Sequence, residues 1–161
     1  MGRTISTIKG AGLAALLSVL AAPAAATCQM ERVDVRSGAT VVAFDIEIAD
    51  EPDERSQGLM FRTEMGAFEG MLFIYERPQP VSFWMRNTLI PLDMLFVDQH
   101  GVVQRIHENA IPLDETSIPG GDDILAVLEI NGGMSTMLGL EEGAVMRHPA
   151  FAANDPAWPC D

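Results

Sequence analysis

Turn-forming residues punctuate this chain so often that no long element fits between them. From Val33 onward, Ser37-Gly38, Pro52, Gly58, Gly66, Gly70, Pro78, Pro80, Pro91, Gly101, Pro112, Pro119-Gly120-Gly121, Asn131-Gly132-Gly133 and Gly143 break the sequence. The apolar runs left between them are about four to eight residues long, which suits strands better than helices. Within Val41–Ile48, Val42, Phe44, Ile46 and Ile48 alternate with Ala43, Asp45 and Glu47. That period of two gives one buried and one wet face.

The spacing predicts a hairpin of Val33–Arg36 and Val41–Ile48 around Ser37-Gly38. A short helix follows at Pro52, capped by Asp50 and stopped at Gly58. Met71–Tyr75 is a short strand, Arg77–Pro80 a tight connection, and Val81–Arg86, Leu92–Val97 and Val102–Glu108 are further strands. Ile111–Asp123 reads as a long surface loop, Ile124–Ile130 as a strongly apolar strand, Met134–Leu138 as a second short helix and Gly143–Arg147 as the last strand. Roughly eight or nine short strands with two short helices point to a mainly β, compact single domain, a sandwich or barrel rather than a βαβ fold.

The first 26 residues read differently. Arg3 and Lys9 precede an apolar run from Ala11 to Ala22, Pro23 ends it, and Ala24-Ala25-Ala26 offers small residues for cleavage. This is the pattern of a secretory signal, and the run is short of the ~20 residues that span a bilayer. An uncleaved anchor is the alternative; a lipoprotein signal at Cys28 fits poorly, because Ala25 stands where an apolar residue such as Leu is wanted. The expected product is a periplasmic or secreted β domain over residues 27–148, a tail over 149–161, and no membrane insertion once the signal is gone.

Removing residues 1–26 takes away both Arg3 and Lys9 and no acid. Of 10 bases and 23 acids, 10 − 2 = 8 bases remain, all Arg, so the net charge moves from −13 to 8 − 23 = −15. Such a surface excludes a nucleic-acid binder, which needs clustered Lys and Arg against phosphate. The two cysteines, Cys28 and Cys160, sit at the two ends of the exported chain. In an oxidising compartment a bridge between them would tie the tail to the first strand, contributing about 4–5 kcal/mol at most; free or intermolecular thiols are the alternative.

Polar residues embedded in apolar segments are the candidate site. Trp84, Asn87, Thr88 and Asp93 lie within Phe83–Asp93, where Trp offers a flat platform and Asn and Asp offer directional hydrogen bonds. The plainer role for Asn87 and Thr88 is to fix a turn. Arg62 ends an apolar run, and Glu129 sits on a strand face with Leu125 and Val127, so a buried Arg62–Glu129 pair is expected. Asp93 and Glu129 could also serve as a hydrolytic acid–base pair. Met60, Met71, Met85 and Met94 could offer thioethers to Cu(I), against the simpler role of filling core gaps. His100, His107 and His148 have no zinc-motif spacing, no Gly-x-Ser-x-Gly is present, and no cofactor is indicated.

In order, the chain carries Gly58-Leu59-Met60-Phe61-Arg62, Gly70-Met71-Leu72-Phe73, Phe83-Trp84-Met85-Arg86-Asn87-Thr88, Pro91-Leu92-Asp93 and Val127-Leu128-Glu129-Ile130-Asn131-Gly132-Gly133. This resembles the domain of unknown function 192 family of small, mostly secreted bacterial and archaeal proteins, over roughly residues 40–148. The resemblance implies a β-sandwich of jelly-roll character with short helices, and it brings no established activity, substrate or cofactor. The hallmark positions it carries over are Arg62, Trp84, Asn87, Thr88, Pro91, Asp93 and Glu129. Together the readings favour an exported accessory or binding domain that holds a small polar ligand or envelope component near Arg62, Trp84, Asn87, Thr88, Asp93 and Glu129. They lean away from an enzyme and leave the oligomeric state open.

Overall fold

A computed structural model describes Gly2 and residues 27–160. The signal expected over residues 1–26 therefore lies, Gly2 apart, outside the described residues. Seven strands form one sheet: β1 (Arg32–Ser37), β2 (Thr40–Ala49), β3 (Glu69–Phe83), β4 (Leu92–Val97), β5 (Val103–Ala110), β6 (Ile118–Asn131) and β7 (Val145–Arg147). Two short helices, α1 (Pro52–Gln57) and α2 (Met134–Leu138), accompany it. The domain is mainly β, as the turn spacing implies. Among the described residues no helix is long and apolar enough to cross a membrane.

The strand order is β5-β4-β6-β3-β2-β1-β7. Among these strands only β2 and β3 run parallel, because α1 and the turn after it carry the chain back to the start of β3; the other pairs are antiparallel. The sheet curls until its edges meet. Val102 bridges Val145, the Val103 N–H donates to the Ala144 carbonyl at 2.8 Å, and the Met146 N–H donates to the Gly101 carbonyl at 2.7 Å. One curled sheet thus answers the choice between sandwich and barrel on the barrel side.

The curl makes two cores. One cluster gathers Val33, Phe44, Leu72, Leu95, Leu128, Ile130, Met146 and Phe151, contributed by both halves of the strand order and by the C-terminal tail. A second cluster, of Met71, Phe73, Met85, Leu92, Met94, Phe96 and Val127, covers the opposite face of β3, β4 and β6 under Leu59 and Ile90. The central strands are therefore buried on both sides, which is why Leu92–Val97 and Ile124–Ile130 are apolar at every position except Asp93 and Glu129. The tail is packed rather than loose: Phe151 is buried, and Cys28 and Cys160 form a disulfide with Cα atoms 5.6 Å apart.

Three local expectations are corrected. The helix cap is Glu51, not Asp50; the Glu54 carboxylate accepts from the backbone N–H of both Glu51 (3.2 Å) and Asp50 (3.3 Å). Arg77–Pro80 is not a connection. It lies inside the 15-residue β3, where the register against β6 shifts between Ile74 and Gln79 and again on either side of Val81. Bulges of this kind free positions from the ladder, so Pro78 and Pro80 are tolerated there. The segment Ile118–Asp123 is not loop but the first half of β6. A Cβ at Gly120 would collide with the Phe96 ring, so glycine here lets the backbone cross an aromatic side chain of β4.

Candidate functional site

β3 and β6 bring Tyr75 and Glu129 to one face of the sheet, and the turn after α1 and the turn after β3 roof it. Between them lies a pocket of about 220 Å³ lined by Arg55, Leu59, Tyr75, Phe83, Trp84, Thr88 and Glu129, among others. Three of the six sequence candidates, Trp84, Thr88 and Glu129, meet here.

Glu129 is paired in register with Met71 of β3 and Met94 of β4, in the middle of the sheet. Alternation points it with Val127 toward the second core, where it is 4 % exposed. Burial alone drives the pKa of its carboxyl up to about 8, with no charge or hydrogen bond among the described residues offsetting it. Gly70 makes this close strand packing possible: a Cβ there would stand 2.5 Å from the Glu129 carbonyl oxygen. The Tyr75 pKa is held above its ordinary value chiefly by burial, and the Glu129 charge adds to that, which places the two groups within electrostatic reach.

Trp84 is 45 % exposed, so one part of its ring packs on the pocket and the rest faces solvent, with the Arg86 guanidinium 5.4 Å from its centroid. Thr88 is buried, and among the described residues its hydroxyl has only a long contact of 3.4 Å, donating to the Arg86 carbonyl. Arg55 was not a sequence candidate. Its guanidinium is held by the Asp50 carbonyl, the Ile74 carbonyl at 2.8 Å and the Glu76 carboxylate at 2.9 Å, and it lies 5.3 Å from the Tyr75 ring. Tyr75 was missed as well; the only signal was its place two and four residues after Phe73 and Met71 on one strand face.

The remaining candidates do other work. Asp93 registers with Ile130, the neighbour of Glu129, so the two carboxyls point to opposite faces. Asp93 is wholly buried and accepts backbone N–H groups from Asn109 (2.8 Å), Gly133 (2.8 Å) and Ser135 (2.7 Å). It fastens the Asn131–Ser135 turn to β4 and has no free part in catalysis. An Asp93–Glu129 acid–base pair on one substrate is therefore ruled out by the pleat.

The expected Arg62–Glu129 pair is not formed either. Arg62 is bonded to Glu47 of β2, which also strengthens its hold on its proton, and it lines a separate groove of about 340 Å³ with Asp45, Met65 and Glu69. Asn87 occupies a left-handed turn at φ 56°, a region Asn tolerates, and its carbonyl accepts from the Phe61 N–H at 2.8 Å. Its side-chain amide reaches the Met60 sulfur at 3.8 Å. Asn87 thus sets the pocket roof rather than lining the pocket. Of the four methionines weighed for Cu(I), Met71, Met85 and Met94 are buried in the second core, where their side chains fill it, whereas Met60 is partly exposed and lines the pocket. Among the described residues no three His, Cys, Asp or Glu side chains converge on a metal position.

Comparisons with known proteins bear on the family and the fold. No curated protein matches the chain. A crystal structure of a protein of unknown function from Novosphingobium aromaticivorans DSM 12444 is 41% identical, with a TM-score of 0.71, covering 86% of this chain and 99% of that one. A crystal structure from Sinorhizobium meliloti 1021, provisionally described as a transcription regulator, is 38% identical, with a TM-score of 0.71, covering 74% of this chain and 94% of that one. The model of the domain of unknown function 192 family, described as an uncharacterized ACR, matches residues 33–148, and the chain belongs to that family.

Proposed function

We propose that this is an exported accessory domain that binds a small polar ligand or envelope component in the Trp84–Glu129 pocket. One observation carries the reading: a half-exposed Trp ring and a buried carboxyl with no partner among the described residues share a single concavity. A buried polar group without a partner costs stability, and such groups are kept where a ligand completes them. The ring supplies apolar contact to a flat ligand face, and Thr88 keeps hydroxyl capacity to spare.

At about 220 Å³ the pocket is smaller than the ~300–1,000 Å³ of drug-sized sites, which suits one small molecule or one end group of a longer chain. The regulatory role provisionally given to the Sinorhizobium relative gains no support from the composition of this chain, in which 23 acids outnumber 10 bases. The test is a thermal-shift screen of the mature protein against glycans, amino acids and organic cations. A true ligand at a hundredfold its Kd adds about 2.7 kcal/mol. That shift is expected to vanish in Trp84→Ala; a panel without a single Trp84-dependent shift refutes the pocket.

A further inference from the structure

Deepening that reading, and resting on it, we infer that the pocket's ligand is a small organic cation whose ammonium group pairs with Glu129 between the rings of Tyr75, Phe83 and Trp84. Glu129 is the observation that points to a ligand. It is more than nine-tenths buried, it lines the pocket, and no cation or donor among the described residues reaches its carboxyl. The two arginines that could serve as internal partners are engaged elsewhere. Arg62 is bonded to Glu47 in another groove, and Arg55 is bonded to two carbonyls and Glu76. A buried carboxylate needs either N–H donors, as Asp93 has, or a cation in contact with it; Glu129 has neither among the described residues, so a partner for its charged form comes from outside.

The walls fit the same chemistry. Phe73, Tyr75, Phe83 and Trp84 line the pocket, and aromatic faces attract organic ammonium groups. The rings on this face already do so within the molecule: Arg55 lies over Tyr75 and Arg86 over Trp84. The excess of acids over bases draws cations toward the chain and repels anions, and it opposes docking on an anionic membrane, so the cation is a dissolved small molecule.

Binding in this form is coupled to a proton. The charged and titratable groups facing Glu129 are Arg55 of α1, already neutralised by Glu76, and Tyr75 of β3; β4 offers only Met94 and β3 also Met71. Burial holds the Glu129 carboxyl neutral to about 8, so an ammonium must displace its proton. Affinity for a permanently charged cation therefore rises with pH between about 6 and 9.

The probe is choline, whose charge does not titrate, compared by calorimetry with its neutral isostere in which carbon replaces nitrogen. Choline is expected to bind about tenfold or more tighter than the isostere, more tightly at pH 9 than at pH 6. Glu129→Gln is expected to remove both the preference and the pH dependence. Equal binding of the two probes, or binding of neither, overturns the inference. So does a choline preference that persists unchanged in Glu129→Gln. Should Glu129→Gln not fold, choline binding by the unaltered protein decides instead: affinity that climbs from pH 6 to pH 9 supports the inference, and affinity flat with pH overturns it. The wider pocket reading is judged separately, because it falls only if no ligand of the earlier screen depends on Trp84.

Discussion

Glu129→Gln should change how the stability of this protein depends on pH, and by an amount the structure bounds. In the unfolded chain the carboxyl titrates near 4.5; in the folded protein burial raises it to about 8. Between those values the folded state holds a proton that the unfolded state has released. The group's contribution to stability is thus complete below pH 4.5 and is lost as pH rises through about 8. At about 1.4 kcal/mol per pH unit the loss accumulates to about 5 kcal/mol, a ceiling because the pocket admits water to the ionised form. Glutamine has no proton to lose. Its unpartnered amide costs the same at every pH, so it moves the whole curve without bending it. Urea unfolding of wild type and Glu129→Gln at a series of pH values from about 5 to 9 isolates the term, since every other acid is common to both. Wild type should lose several kcal/mol relative to the variant toward the alkaline end. Parallel curves would refute the argument that Glu129 is buried without compensation.

Asp93→Asn removes the charge from an acceptor of three backbone N–H groups and turns an amide donor against at least one of them; a loss of about 3 kcal/mol or more by chemical denaturation is expected, with ligand binding at the pocket retained in the folded fraction. Gly70→Ala places a methyl group 2.5 Å from the Glu129 carbonyl oxygen, which must force β3 and β6 apart; a cost of about 1–3 kcal/mol is expected, with weakened binding of any pocket ligand. Replacing Cys28 and Cys160 together by Ser opens a closure of 132 residues and should cost up to about 5 kcal/mol, read as a fall in the denaturant midpoint that reducing agent reproduces in the wild type.

Much of the fold is legible in local pattern, because strand alternation and turn residues act over a few positions. The β1–β2 hairpin, β4 and the Asn131-Gly132-Gly133 turn stand where their residues place them. β3 was not legible as one strand. Two prolines normally end a strand, and only the opposing register of β6 shows that they sit at bulges. The same reason hides half of β6, since Gly120 and Gly121 look like loop until Phe96 is seen beneath Gly120.

The site divides along similar lines. That Glu129 is a buried acid follows from its neighbours on the strand. That it lies across the sheet from Asp93 follows only from the pairing of Asp93 with Ile130, which no spacing along one strand encodes. Arg62 finds Glu47 because β2 and β3 run side by side in parallel, a crossover that composition does not announce. The family motif therefore mixes two kinds of residue. Asp93 and Asn87 hold backbone turns, whereas Trp84 and Glu129 face the pocket.

The disulfide between Cys28 and Cys160 has a topological consequence as well as an energetic one. Everything from residue 28 to residue 160 is a closed covalent loop. A single proteolytic cut, most readily in the exposed turn between β5 and β6, linearises that loop without releasing a fragment. The cut protein keeps its mass under non-reducing conditions, and its sheet holds both new ends. Only a second cut, or loss of the bridge, ends the covalent link between the pieces, so one protease cut alone releases nothing, and a reductant, which alone lowers stability without shortening the chain, then frees the two parts.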